Sequence, residues 1–173
     1  MTEYLDILDD EGNVIGQASQ EEVYEKKHGH RIVHVLVINP KTREVYLQQR
    51  AETKSFLPGY YCTSAGGHVH AGETYEQAAK RELYEEIGLG TPVREVHRFV
   101  FEADSHKRFI ALFVTTATEG FDFKDKEVAA GGFYPLDAAL ALVDTGEKIH
   151  PQLDPCLHWL HQNQDAVFVQ VGN

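Results

Sequence analysis

Glu82, Glu85 and Glu86 stand at i, i+3, i+4 within the segment Gly67–Leu89, which reads GHVHAGETYEQAAKRELYEEIGL. At about 100° per residue, this spacing sends all three from one side of a helix. Ala79, Leu83 and Ile87 make the apolar stripe of the same helix. Glu86 and Glu82 fall roughly 60° and roughly 100° to one flank of Leu83, so these two acids border the buried face. Glu82 and Glu86 also form an i, i+4 like-charge pair, which costs a helix roughly a few tenths of a kcal/mol. Clustered, partly buried carboxylates either take up protons or bind a cation. Their hard oxygens select Mg²⁺, with Mn²⁺ as the alternative, and such ions share their shell with water and substrate phosphates.

The elements that position these acids are marked in the sequence. Thr74 with Gln77 fits a capping box, and Gly88 fits the left-handed residue after a last turn, so a helix is predicted over about Tyr75–Ile87. Upstream, Gly66-Gly67 reads as a tight turn where the backbone approaches a ligand and a main-chain carbonyl joins the metal shell. Tyr4–Leu8 and Val14–Ala18 read as a hairpin, and Ser19 with Glu22 opens a short helix to about Lys27. Strands are expected over Arg31–Asn39, Glu44–Arg50, Tyr60–Ser64, Val93–Glu102, Arg108–Ala117 and Val128–Tyr134. Asp137 is expected to cap a helix to about Val143, and Asp154 another with Pro155 at its first position. The alternating tail Val167–Val171 reads as a final strand. Mixed strands with covering helices predict an α/β sandwich in one domain over residues 1–173. Residues 1–29 are the N-terminal hairpin and short helix, 30–145 the core, and 146–173 the C-terminal helix and strand. The hairpin suits either the cover of an open sheet edge or a dimer contact.

The spacing of the acidic segment resembles the Nudix box, G-x5-E-x7-R-E-U-x-E-E-x-G-U with U a bulky aliphatic. Gly67, Glu73, Arg81, Glu82, Leu83, Glu85, Glu86, Gly88 and Leu89 match without departure. The resemblance implies a curved mixed sheet between helical layers, with the N-terminal hairpin as an extension. It implies a hydrolase in which Glu85 and Glu86 are the main metal ligands. Glu82 is then a further ligand or the base that orients water, and the Gly66 carbonyl a main-chain ligand. Glu73 and Arg81 pair and brace the loop against the helix. Glu127, with Asp125 behind it, is the candidate for an acid added from a later loop. The chemistry implied is metal-assisted substitution at phosphorus, yielding a phosphate monoester plus phosphate or a second monoester. The implied substrate is a nucleoside 5′-di- or triphosphate or a nucleoside diphosphate derivative.

A second, local resemblance is to isopentenyl-diphosphate isomerases, which share the Nudix fold. His30, Arg50, Lys54 and Leu57-Pro58-Gly59-Tyr60-Tyr61 carry it. It implies that Arg50 and Lys54 grip the diphosphate. The isomerase places a cysteine two residues before a histidine ahead of the box, and those positions here read Gly66 and His68. Cys62 lies four residues too early to replace that thiol, one of the isomerase's metal-binding histidines falls at Val23, and the acid cluster is complete. Hydrolysis is therefore expected over isomerisation. A non-catalytic binding or regulatory module is the alternative of another class, and it need not keep all three glutamates. His68 and His70 alternate across Val69 and share one face if extended, which makes His68 a candidate substrate contact.

Composition bounds the partners. With 27 acidic residues against 16 Lys plus Arg, the net charge is −11 and no basic run is present. That argues against a nucleic-acid polymer as partner. Cys62 and Cys156 lack CxxC spacing and read as free thiols. The acidic start MTEYLDILDD is unlike a signal peptide, and no run reaches transmembrane length. The expectation is a cytoplasmic, soluble monomer or homodimer acting on a small diphosphate.

Overall fold

The computed structural model describes residues 1–123 and 127–171, without the side chain of residue 171. The candidate Asp125 lies outside the described residues. The chain begins with a hairpin, β1 (Tyr4–Leu8) and β2 (Val14–Ser19), followed by α1 (Gln20–Glu25). The central strand β3 (His30–Ile38) runs parallel to β8 (His106–Thr116) and antiparallel to β4 (Val45–Arg50) and β6 (Ala65–His68). The short β5 (Tyr61–Cys62) and β9 (Val128–Tyr134) pair with β4, and β7 (Arg94–Ala103) pairs with β8 at the far edge. The helices are α2 (Tyr75–Ile87), α3 (Leu136–Thr145) and α4 (Leu153–Val171).

The nine residues of β3 are almost all buried because each face of the sheet is covered. Alternation decides which residues go where. Val33, Val35 and Val37 meet Ala78, Ala79, Leu83 and Ile87 of α2. Leu36 and Ile38, with Leu112 and Val114 of β8, meet Leu153, Leu157 and Leu160 of α4 and Ala139 of α3. The result is the expected α/β/α sandwich around a mixed sheet. No helix among the described residues is long and apolar enough to cross a membrane.

The N-terminal hairpin docks on the loop that leads into α2. The Ala71 amide donates to the Tyr4 carbonyl at 2.7 Å, and Leu5 bridges to His70. Asp6, 5% exposed, accepts from the Arg31 guanidinium at 2.6 Å, the Gly72 amide at 3.1 Å and the Gln17 side chain at 3.0 Å.

Four expectations are corrected. Val167–Val171 is the end of α4, not a strand: Val167 and Phe168 turn into the apolar layer beneath the sheet, and helix packing overrides the local β pattern. Asp137 does not cap α3; Pro135 holds the N-cap position with no side-chain cap bond. Asp154 and Pro155 lie inside the first turn of α4, which begins at Leu153. Gly66-Gly67 is not a turn but the middle of β6, paired with His34 and Val33 of β3.

Candidate active site

The capping box at the start of α2 is complete. The Gln77 amide donates to Thr74 Oγ1 at 3.2 Å, and the Thr74 amide donates to Gln77 Oε1 at 2.9 Å. Gly88 ends the helix at φ 77°, ψ 7°, a left-handed conformation that glycine adopts freely. Between these ends Leu83 and Ile87 are fully buried and Glu86 is 9% exposed. The side chain of Glu82 is 13% exposed and that of Glu85 53%. Glu86 and Glu82 therefore do border the buried face, and Glu85 stands in the open.

Arg81 organises the acids. Its Nε and Nη2 each donate to a Glu73 oxygen at 3.0 Å, and Nη2 also reaches the His68 carbonyl at 2.9 Å. Its Nη1 lies 2.7 Å from Glu82 and 3.3 Å from Glu85. Glu73 accepts the His70 amide as well, at 2.9 Å. Burial opposes the Glu73 carboxylate, but the bonds from Arg81 and His70 outweigh it and hold its pKa below the usual range. Glu82 goes the other way. Burial dominates over the pull of Arg81, and its pKa is pushed up to about 7.

Glu86 accepts a hydrogen bond from the Gln48 side-chain amide on β4. Gln48 is 5% exposed and was not singled out by sequence reading. The signal available was a glutamine two residues after Tyr46 and two before Arg50 in β4.

The glycine pair serves packing on both faces of β6. A Cβ on Gly67 would sit 2.2 Å from Glu82 Oε1, so the carboxylate occupies the space a side chain would take. A Cβ on Gly66 would sit 2.8 Å from both His34 Nδ1 and the Val33 carbonyl. His34 is buried, with one ring nitrogen 2.7 Å from Thr63 Oγ1 and the other 2.7 Å from Gln152 Oε1.

Of the remaining candidates, Arg50 and Lys54 lie with Glu86 near Cys62, whereas the His68 ring turns to Tyr24 and His30. Lys54 pairs with Glu127 at 2.7 Å, and the Ala51 amide donates to the Glu127 carbonyl at 2.9 Å. Arg50 donates from Nε to the Phe56 carbonyl at 3.1 Å. Cys62 sits opposite Gln48 in the sheet. Burial drives its thiol up to about 12, with Arg50 favouring the thiolate and Glu86 opposing it. His68 Nε2 lies 2.8 Å from the Tyr24 hydroxyl and joins a group with His30 and His106, whereas His70 faces Glu3 at 3.7 Å. Within that group His30 Nε2 is buried without a hydrogen-bond partner. Burial pushes His68 down to about 4 and His30 down to about 3, so both rings are neutral at physiological pH.

Among the described residues no three His, Cys, Asp or Glu side chains already converge on a point that could hold a metal. Arg81 Nη1 stands between Glu82 and Glu85 instead. The donor set nevertheless suits a hard divalent ion. It consists of carboxylates, one buried enough to retain a proton to about pH 7 and one exposed enough to turn.

Comparison with known proteins agrees with this arrangement. The NUDIX domain family model matches residues 28–160. The "Uncharacterized Nudix hydrolase YfcD" of Escherichia coli (strain K12) is 36% identical over 129 residues, 74% of this chain and 71% of that protein. The "Isopentenyl-diphosphate Delta-isomerase 2" of Photorhabdus laumondii is 36% identical over 103 residues, 60% of this chain and 58% of that protein. The solved structure of DR0079 from Deinococcus radiodurans superposes with a TM-score of 0.78 at 23% identity, over 90% of this chain and 98% of that one, and shares the fold. The chain belongs to the Nudix hydrolase family.

Proposed function

We propose that this protein hydrolyses a diphosphate linkage in a nucleoside 5′-di- or triphosphate or a nucleoside diphosphate derivative, with Mg²⁺ as cofactor. Glu82, Glu85, Glu86 and the Gly66 carbonyl would hold the ion, and Glu127 is the candidate from the later loop. Bound there, the ion supplies charge compensation at the diphosphate and polarises the attacking water. The observation that carries the reading is the Arg81 fork. One guanidinium holds Glu73 and touches Glu82 and Glu85, so a single cation already gathers three box carboxylates.

The chain's own residues then have separable tasks. Arg50 and Lys54 orient the diphosphate oxygens. Glu82 would accept the proton of the attacking water at a carboxylate oxygen, as the residue of the acid set held against Arg81. The P–O bond to the leaving phosphate breaks as the new one forms, giving a monoester and phosphate or a second monoester. Glu73 and Arg81 keep the loop fixed to the helix, and His68 stands at the end of β6 where the loop begins.

Isomerisation is disfavoured on packing as well as on sequence. At Gly66, where the isomerase cysteine would stand, a Cβ meets the Val33 backbone at 2.8 Å. Cys62 offers no substitute, because its buried thiol stays protonated. A non-catalytic module is disfavoured by the complete acid set.

Release of phosphate or monophosphate from a nucleotide panel with Mg²⁺ tests the reading, comparing the parent with Glu86→Gln. A loss of at least roughly a hundredfold is expected, as for other removed catalytic groups. Unchanged turnover in the variant would remove this helix as the metal site. Binding across the panel without turnover would favour the regulatory module.

A further inference from the structure

Glu86 is the most buried acid of the set, and a buried carboxylate is costly unless it is hydrogen-bonded. Gln48 supplies such a bond from outside the box. It lies on β4, 38 residues away in sequence, in register with Cys62 on one side and Gly131 on the other. Its strand neighbour on the same face, Tyr46, belongs to the apolar layer beneath α2. A glutamine in that row puts an amide where an apolar side chain would otherwise continue the core. Its N–H donates to Glu86 Oε2.

From this we infer that Gln48 is a positioning residue for the metal site. It fixes the orientation of the Glu86 carboxylate by donating to Oε2, so that Glu86 would meet a divalent ion in one set orientation. The inference rests on the proposed role of α2 as the metal-holding helix. A carboxylate with one oxygen tied down meets the ion without first losing rotational freedom, and such outer partners typically change metal affinity 10–100-fold (about that range).

The test measures Mn²⁺ dissociation constants by paramagnetic resonance of the free ion. It uses the full chain as parent, Gln48→Met, Gln48→Asn, Glu86→Gln and the double variant Gln48→Met/Glu86→Gln. Gln48→Met keeps the length and removes the donor, and Gln48→Asn keeps the amide but withdraws it by one methylene. Thermal melts establish that each variant is folded, so that affinity is read on folded protein. The expected result is Mn²⁺ binding weakened about 10–100-fold in both Gln48 variants, with no further weakening when Gln48→Met is added to Glu86→Gln. At saturating Mg²⁺, kcat of Gln48→Met should recover to within about threefold of the parent. If Glu86→Gln loses Mn²⁺ while both Gln48 variants bind within about twofold of the parent, Gln48 is only a core residue and the metal reading stands. Parent-like binding by Glu86→Gln overturns both. A lower melting temperature with unchanged affinity also overturns the positioning role.

Discussion

Arg81 holds Glu73 through two hydrogen bonds of 3.0 Å, one from Nε and one from Nη2. A planar fork can do this and an ammonium cannot. Arg81→Lys should therefore behave as a loss. Turnover should fall about 10–100-fold, because the loop carrying Glu73 and the His68 carbonyl both lose their anchor. Steady-state rates at saturating metal check this, and a lysine variant with parental kcat would deny the fork its role.

The two glycines of β6 should respond differently to one methyl group. At Gly67 the nearest atoms the new Cβ meets belong to the flexible end of Glu82, at 2.2 Å. Gly67→Ala should fold with little loss and displace Glu82, giving weak Mn²⁺ binding and low turnover. At Gly66 the Cβ meets the Val33 backbone and the enclosed His34 ring, both at 2.8 Å. Gly66→Ala should lose about 1–3 kcal/mol of stability by overpacking. Denaturant melts and Mn²⁺ titrations on both variants check the contrast, which fails if Gly67→Ala keeps parental metal affinity.

Buried histidines make the metal-free protein acid-sensitive. Burial lowers His30 and His150 from 6.5 to about 3 and His68 to about 4, and also lowers His34 and His106. Each group's contribution is present above its unfolded value of 6.5 and is lost as pH falls through its folded value. Glu82 opposes them. Burial raises it from 4.5 to about 7, so its contribution is present below 4.5 and lost as pH rises through about 7. Five histidines outweigh one glutamate, so stability in chelator should rise from about pH 5 to about pH 7. In Glu82→Gln the opposing group is gone and the rise should be steeper. Urea melts across that range decide it, and equal slopes in the two proteins would contradict the burial of Glu82.

Lys54 and Glu127 form a partly exposed ion pair at 2.7 Å. If Lys54 orients the diphosphate, Lys54→Ala should raise KM roughly tenfold with a smaller change in kcat. If Glu127 is a metal ligand, Glu127→Gln should shift the Mg²⁺ activation curve; if it only restrains Lys54, KM moves and the metal curve does not. Metal-dependence curves at several substrate concentrations separate the two roles.

Local signals carried much of this architecture. Thr74, Gln77 and Gly88 set the bounds of α2 because capping is chemistry among near neighbours. Glu82 and Glu86 could be placed at the edge of the buried face from helical spacing alone. What sequence reading missed depends on the sheet. Gln48 reaches Glu86 only because β4 pairs with β3, on which α2 packs, His34 meets Gly66 only through the pairing of β3 and β6, and Tyr24 meets His68 only once α1 has folded over. The glycine pair looks like a turn in the sequence for the same reason: the neighbours that require it are distant in the chain. Val167–Val171 shows the converse failure, since five alternating residues carry too little local information to resist packing as helix.

Asp6 joins three parts of the chain, taking hydrogen bonds from Arg31, Gln17 and the Gly72 amide. The loop that presents Glu73 to Arg81 is thereby closed by the hairpin, with the Ala71 amide bonded to Tyr4. Both amides are hydrogen-bonded to residues of β1, so Ala71 and Gly72 should exchange their hydrogens for deuterium in concert with β1, as one opening unit. The N-terminal hairpin is in this sense the latch of the box loop, and the exchange lifetime of two loop amides reports how firmly it is shut.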